Sequence, residues 1–146
     1  MARHGMCSRS FQYRVMVAKR LEDLVAWQLA SKLRDDVVAL TAGRTFNRDW
    51  RLRNQLRDAG SSVVANVAEG FGRFRPREFA RFLRTANGSV HEVRTHLDDA
   101  VGREYVCLES VADLRKLCQR TSIAMTRLIR YLDRCDPNGP TASRSG

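Results

Sequence analysis

An apolar stripe with helical spacing runs through the middle of the chain and limits its fold more than any other feature. Its five residues fall on one narrow face when the chain is wound at about 100° per residue. They are Leu52, Leu56, Ala59, Val63 and Val67. A helix with one apolar side buries that side against other elements. The stripe therefore predicts a long amphipathic helix that faces a core.

A row of polar residues, here called the polar seam, borders this stripe. Its members are spaced seven, four and three residues apart, so they follow one side of the helix. They are Gln55, Ser62, Asn66 and Glu69. Because an unpaired polar group at a packed edge costs about 1–3 kcal/mol, the seam needs hydrogen-bond partners. Neighbouring helices and water can supply them, and so can a ligand or a second subunit; we predict a subunit interface here.

A corner rich in glycine and arginine separates this helix from the next one. Gly70 and Gly72 flank Phe71, and either glycine can adopt the left-handed conformation that ends a helix. Pro76 fits the first turn of a following helix, where its missing N–H would have no partner. Five arginines surround the turn, and we call them the arginine corner. Its members are Arg73, Arg75, Arg77, Arg81 and Arg84.

The stripe helix is predicted to run from Trp50 to Phe71, and another helix precedes it. That first helix has Asp23 as its N-cap and ends at Gly43. A polar loop over residues 44–49 connects the two. The positions predicted to be buried in the first helix are Leu24, Trp27, Leu33, Val37 and Leu40.

Two more helices are predicted after the arginine corner. The third runs from Pro76 to Val101 and is ended by Gly102, whereas Ser110 and Asp113 form a capping box for the fourth. Each helix is about 20 residues long, has one apolar face and is joined to the next by a short loop. This pattern favours an all-α fold, an antiparallel up-down-up-down four-helix bundle.

Three segments of the chain resemble a known family: LEDLVAWQLA, NQLRDAGSSVVANVAEGFGR and REFARFLRTANGSVHEV. They are similar to small bacterial four-helix bundle proteins encoded within intervening sequences of large-subunit ribosomal RNA genes. The same resemblance extends to accessory proteins of diversity-generating retroelements. It implies an antiparallel bundle, assembled as a homopentameric ring, without established catalytic activity.

Composition divides the chain into three predicted parts. Residues 1–20 carry five basic residues and no acidic one, half of the net charge of +10. They form either a basic arm that contacts phosphates or a leader without a role. Residues 21–134 form the predicted bundle. Residues 135–146 include a sequence rich in proline, glycine and serine, and we predict a disordered tail.

Arginine supplies most of the positive charge, with 26 basic against 16 acidic residues in the whole chain. Its planar fork suits phosphate and carboxylate, so a surface rich in arginine favours nucleic acid or an acidic protein as partner. These arginines can equally be ordinary surface cations. We predict that Arg53, Arg57 and the arginine corner bind nucleic acid, RNA or a ribonucleoprotein. The alternative is a protein–protein adaptor scaffold.

The cysteines and the hydropathy pattern exclude several other classes of protein. Cys7, Cys107, Cys118 and Cys135 are scattered without a C-x-x-C pair, so we expect neither a metal site nor a disulfide scaffold. No sequence motif calls for a cofactor. No apolar run reaches the roughly 18 residues that span a membrane. We therefore expect a cytoplasmic protein without a membrane partner.

One pair of residues raises the question of catalysis. Arg84 and His91 are seven residues apart on one helical face, which resembles the R-x4-6-H motif of HEPN ribonucleases. In such a pair the histidine moves protons and the arginine stabilises the phosphorane. Thr85 follows the arginine where that motif has Asn, Asp or His. We therefore predict that the chain is not an enzyme and that the pair belongs to a solvated surface.

Overall fold

The computed structural model describes residues 18–73 and 75–136, and this part of the chain contains four α-helices and no strand. The helices are α1 Val25–Thr41, α2 Trp50–Phe71, α3 Pro76–Gly102 and α4 Leu108–Cys135. Helix α1 contacts α2 and α4, and α3 contacts the same two helices. The prediction of an all-α bundle of four helices is confirmed.

The core lies between the four helices, and each helix buries one face in it. All five residues of the apolar stripe are buried. In α1, three of the positions predicted to be buried are so: Leu24, Leu33 and Val37. Trp27 and Leu40 are only half-buried, because the inward positions hold Ala26 and Ala30. The helical period therefore identified the buried face, but not every residue on it.

Helix α1 begins at Val25, and the prediction of Asp23 as its N-cap is wrong. Leu24 occupies the N-cap position and makes no side-chain hydrogen bond there. A single 3-10 turn, Leu21–Asp23, precedes the helix. The carboxylate of Asp23 contacts the guanidinium of Arg20 at 3.2 Å. That ion pair takes the oxygen atoms that a cap would have used.

The connection between α1 and α2 is not the polar loop that was predicted. Residues Arg44–Arg48 form a 3-10 helix, and Phe46 within it is completely buried. The ring of Phe46 lies 6.0 Å from the ring of Tyr105, measured between their centroids. A single apolar residue among polar ones has no periodicity, so the sequence pattern did not reveal it.

Asp49 joins this connection both to α2 and to the segment before α4. Its Oδ1 accepts a hydrogen bond of 3.0 Å from the N–H of Leu52, which makes Asp49 the N-cap of α2. Its Oδ2 accepts bonds from the guanidinium of Arg103 at 2.8 Å and the hydroxyl of Tyr105 at 3.1 Å. The Leu52 N–H, with smaller contributions from Tyr105 and Arg103, holds the pKa of Asp49 below its ordinary value of 3.8.

Neither glycine of the corner ends α2 in a left-handed conformation, so that prediction is wrong. No glycine in the described ranges has a positive φ; Gly72 has φ −70° and Gly70 is helical. A Cβ atom on Gly70 would lie 2.7 Å from Cδ2 of Phe79 and 2.8 Å from Cβ of Phe82. Glycine is needed here because α3 approaches the backbone of α2 too closely for a side chain.

Helix α3 ends one residue later than predicted, at Gly102, in a Schellman motif. The N–H of Glu104 bonds to the carbonyl of Val101, and the N–H of Tyr105 bonds to that of Ala100, both at 3.0 Å. Glu104 has φ 61° and occupies the left-handed position that glycine usually takes. The helix therefore stops two residues before the position that turns the chain.

Helix α4 begins at Leu108, and the predicted capping box of Ser110 and Asp113 is wrong. Cys107 holds the N-cap position. The hydroxyl of Ser110 donates a 2.7 Å hydrogen bond to the carbonyl of Cys107, within the first turn of the helix. Since Ser110 is already helical, its side chain does not cap the N-terminus.

Two of the predicted parts fall mostly outside the described residues. Of the basic arm, residues 1–17 lie outside them, and of the predicted tail, residues 137–146 do so. Cys135 is the last residue of α4 rather than the first of a tail. Among the helices that the structure describes, none is both long and apolar enough to cross a bilayer.

Candidate nucleic-acid interface

The arginine corner lies in the connection between α2 and α3 and in the first turns of α3. Arg75 occupies the N-cap position of α3, and Pro76 fills the first turn as predicted. Arg77, Arg81 and Arg84 follow at spacings of four and three residues, so they share one face of the helix. All three are exposed. The predicted surface of clustered guanidinium groups is therefore present on α3.

Two members of the arginine corner form ion pairs with carboxylates. The guanidinium of Arg73 contacts Glu69 at 2.6 Å, and its central carbon lies 5.1 Å from the ring centre of Phe82. The guanidinium of Arg84 contacts Asp133 of α4, also at 2.6 Å. Each of these arginines has its charge balanced within the chain, so each is a poorer ligand for phosphate than an unpaired arginine.

The other three members of the corner have no carboxylate partner in the described parts of the chain. They are Arg75, Arg77 and Arg81. All are exposed, and their guanidinium groups are available to an external anion. The corner thus offers three unpaired cations.

Arg53 and Arg57 lie away from the corner and are half-buried. The Nε of Arg57 donates a 2.8 Å hydrogen bond to the hydroxyl of Thr41, which is the last residue of α1. The Nε of Arg53 is buried and has no hydrogen-bond partner in the described part of the chain. Arg57 and Arg73 are sixteen residues apart, about 24 Å along a helix. The structure therefore does not bring Arg53 and Arg57 to the arginine corner.

Three members of the polar seam, Ser62, Asn66 and Glu69, have partners inside the chain. The hydroxyl of Ser62 hydrogen-bonds to that of Ser89 at 2.9 Å across α2 and α3, and the amide of Asn66 donates to the carbonyl of Ser62 at 2.9 Å. Gln55 is exposed, and Glu69 is the exposed partner of Arg73 described above. The two ends of the seam therefore face outward, whereas its middle is already paired.

The geometry of Arg84 and His91 does not form a compact pair. Seven residues separate them, which is about 10 Å along the axis of α3. Arg84 contacts Asp133, whereas exposed His91 lines a small crevice between α3 and α4. Buried Cys118 lines the same crevice, and burial raises the pKa of its thiol to about 11. That thiol is neutral near pH 7 and a poor nucleophile.

The described residues also include concave surfaces and free thiols. The crevice beside His91 has a volume of about 130 Å³, and an open groove of about 370 Å³ lies between α1 and α4. Cys107, Cys118 and Cys135 are free. In the ranges 18–73 and 75–136, no three His, Cys, Asp or Glu side chains lie close enough to hold a metal ion.

A comparison with known protein families assigns the chain to one of them. The model of the family described as 23S rRNA-intervening sequence protein matches residues 22–127. The chain belongs to this family. The resemblance to proteins encoded within intervening sequences of ribosomal RNA genes is thereby confirmed, whereas the resemblance to accessory proteins of diversity-generating retroelements stays a prediction. No curated protein matches the chain.

The matched region of this 23S rRNA-intervening sequence protein contains α1, α2 and α3 and most of α4. The whole arginine corner and the whole polar seam lie inside it. These surfaces therefore belong to the family domain, whereas residues 1–21 precede the match and residues 128–146 follow it.

This family member also has a second group of basic residues, which the prediction from sequence did not include. The group lies along the outer face of α4, and we call it the α4 row. Its members are Lys116, Arg120, Arg127, Arg130 and Arg134, all of them exposed. None forms an ion pair with a residue in the described ranges. The signal was visible in the sequence, because no acidic residue occurs between Asp113 and Asp133.

Proposed function

We propose that this chain is a non-catalytic helical-bundle protein that binds nucleic acid, RNA or a ribonucleoprotein, through its arginine corner. The observation that carries the proposal is the set of three exposed arginines that have no carboxylate partner among the described residues. A guanidinium presents two parallel N–H donors that match the oxygen atoms of a phosphate. The name of the family refers to 23S rRNA, which supports RNA as the nucleic acid. The ion pair of Arg84 with Asp133 supports binding rather than cleavage.

Changing Arg75, Arg77 and Arg81 together to Gln should weaken binding to a 24-base-pair RNA duplex. Each phosphate contact on a duplex contributes about 0.9 to the slope of log K against log salt, so the slope should become shallower by about 2–3. Fluorescence anisotropy between 50 and 200 mM salt measures this slope. Arg84 is left unchanged because its loss would also break the contact between α3 and α4.

A matched variant tests whether net charge alone explains the effect. Changing Arg44, Arg48 and Arg51 to Gln removes the same charge from exposed positions near the start of α2, about 30 Å from the corner. This variant should keep the slope of the wild type. An equal loss in both variants, or none in the corner variant, would contradict the proposal. A wild type that binds no nucleic acid at 50 mM salt would favour the adaptor scaffold, whose arginines meet an acidic protein.

We further propose that the bundle has the antiparallel up-down-up-down arrangement and assembles as a ring of five through the polar seam. The resemblance of the sequence and the outward-facing ends of the seam, Gln55 and Glu69, support this assembly. A ring would repeat the arginine corner five times, so several weak phosphate contacts would act together.

Light scattering should give a mass of five chains for the wild type. Gln55→Arg places an additional charge at every repeated interface of the ring, so it should lower the mass while circular dichroism shows unchanged helix content. Asn54→Arg is the control, because Asn54 is equally exposed but lies about 100° away from the seam around the helix. A wild type that stays monomeric at high concentration would exclude the ring.

A further inference from the structure

The α4 row forms a straight line of positive charge on one rigid helix. Lys116 and Arg134 are eighteen residues apart, about 27 Å at 1.5 Å per residue. Arg120, Arg127 and Arg134 recur every seven residues, and seven residues are close to two full turns. These three guanidinium groups therefore stand nearly in line along the outside of the bundle.

The acidic residues nearest to the row leave its charge uncompensated. Asp133 is the ion-pair partner of Arg84 on α3. Asp98 contacts Arg115, which lies beside the row and not in it. Asp113 precedes the first member of the row by three residues, and no ion pair between them occurs in the described ranges. Within the described ranges, five cations of the row have no ion-pair partner, whereas three cations of the arginine corner have none.

The side chains that lie between the cations of the row argue against a protein partner and against a single-stranded nucleic acid. A protein-binding surface usually has aromatic or apolar anchors at its centre, but Ile123 is the only large exposed apolar side chain beside the row among the described residues. Single strands bind through bases stacked on aromatic rings. The only aromatic residue of α4, Tyr131, is half-buried against the core. A surface of cations without stacking rings fits a duplex, whose bases already stack on each other.

We infer that the α4 row binds the phosphate backbone of a nucleic-acid duplex, as a second surface separate from the arginine corner. This inference rests on the proposed function for its class of partner, but not on the corner as the binding site. The duplex would lie along α4, so that the in-line arginines, about 10 Å apart, each contact a separate phosphate. With five unbalanced charges against three, the row contributes at least as much to the salt dependence of binding as the corner does.

The experiment compares three triple variants on the same 24-base-pair RNA duplex by anisotropy between 50 and 200 mM salt. In the row variant, Arg120, Arg127 and Arg134 become Gln. The corner variant carries Gln at Arg75, Arg77 and Arg81, and the control carries it at Arg44, Arg48 and Arg51. We expect the row variant to lose about 2–3 from the slope of log K against log salt, while the control keeps it. A row variant with the slope of the wild type would overturn the inference.

The two proposals fail in different ways. Loss in the row variant alone supports this inference and removes the corner as the site, whereas loss in the corner variant alone does the reverse. Replacing the same three arginines of the row with Lys keeps the charge and should restore the slope, which shows that the Gln variant lost phosphate contacts and not its fold.

Matched duplex DNA is the second ligand, and equal slopes on both would show that the row reads phosphate rather than the 2′-hydroxyl. A single strand of 24 uridines should bind more weakly, and equal affinity for it would contradict the choice of a duplex.

Discussion

Replacing Phe46 with alanine should lower the free energy of unfolding by about 3–5 kcal/mol, the usual cost of removing a buried aromatic side chain. Phe46 is completely buried although its neighbours in the 3-10 helix are polar. Its ring packs against Tyr105, so the change leaves a cavity between the connection that precedes α2 and the segment that precedes α4. Urea unfolding with an unchanged m-value measures the loss as a stability effect alone.

Trp50→Ala is the control for this prediction. Trp50 is larger than Phe46 and only four residues away, but it is 65% exposed. Exposed substitutions away from special contacts usually change stability by less than about 0.5 kcal/mol. If both variants lost the same amount, the contrast in burial between the two aromatic residues would be wrong.

The same substitution at two glycines should have effects of opposite sign. Gly70→Ala should destabilise the fold by about 1–3 kcal/mol, because the added methyl group overlaps Phe79 and Phe82. Gly88→Ala should stabilise it by about 0.5–1 kcal/mol, because alanine is the better helix former. Gly88 is exposed inside α3, and a Cβ there meets no atom within 4 Å among those described.

Thermal and urea unfolding of both alanine variants tests this pair. Each variant adds one methyl group inside a helix, so helix propensity favours both equally and the difference between them reports the contact of α2 with α3. A Gly70→Ala protein as stable as the wild type would show that α3 does not approach α2 as closely as described.

The long elements were predictable from the sequence because their signals repeat. The apolar stripe of α2 recurs over about four turns, and the predicted bounds of this helix, Trp50 and Phe71, are those observed. Pro76 marked the start of α3 in the same way. A repeating pattern survives errors at individual positions, and for this reason the number of α-helices was correct.

The predictions at helix ends failed because a cap depends on competing partners. Asp23 has the chemistry of an N-cap, but Arg20 takes its carboxylate. Ser110 has the same chemistry, but its hydroxyl bonds to the carbonyl of Cys107. In each case the competing group is only three residues away, and sequence alone does not rank two local partners of similar energy.

The candidate site was partly predictable. Density of arginine in the sequence identified the corner, but Arg84 is paired with Asp133, 49 residues further along the chain. Such a pair exists only once α3 and α4 pack together, so no local pattern reveals it. The members of the α4 row are three to seven residues apart in the sequence. They form a line of charge only on a helix, where residues at these spacings lie on one face.

The contacts of Asp49 affect how the fold opens by local unfolding. Its carboxylate binds Arg103, which lies 54 residues further along the chain, and the hydroxyl of Tyr105. Tyr105 also contacts Phe46, so the segment before α2 and the segment before α4 share one set of contacts. Neither segment can fluctuate away from the bundle without breaking the contacts that hold the other. The two segments therefore form a single cooperative unit of local unfolding, although α2 and α3 separate them in sequence.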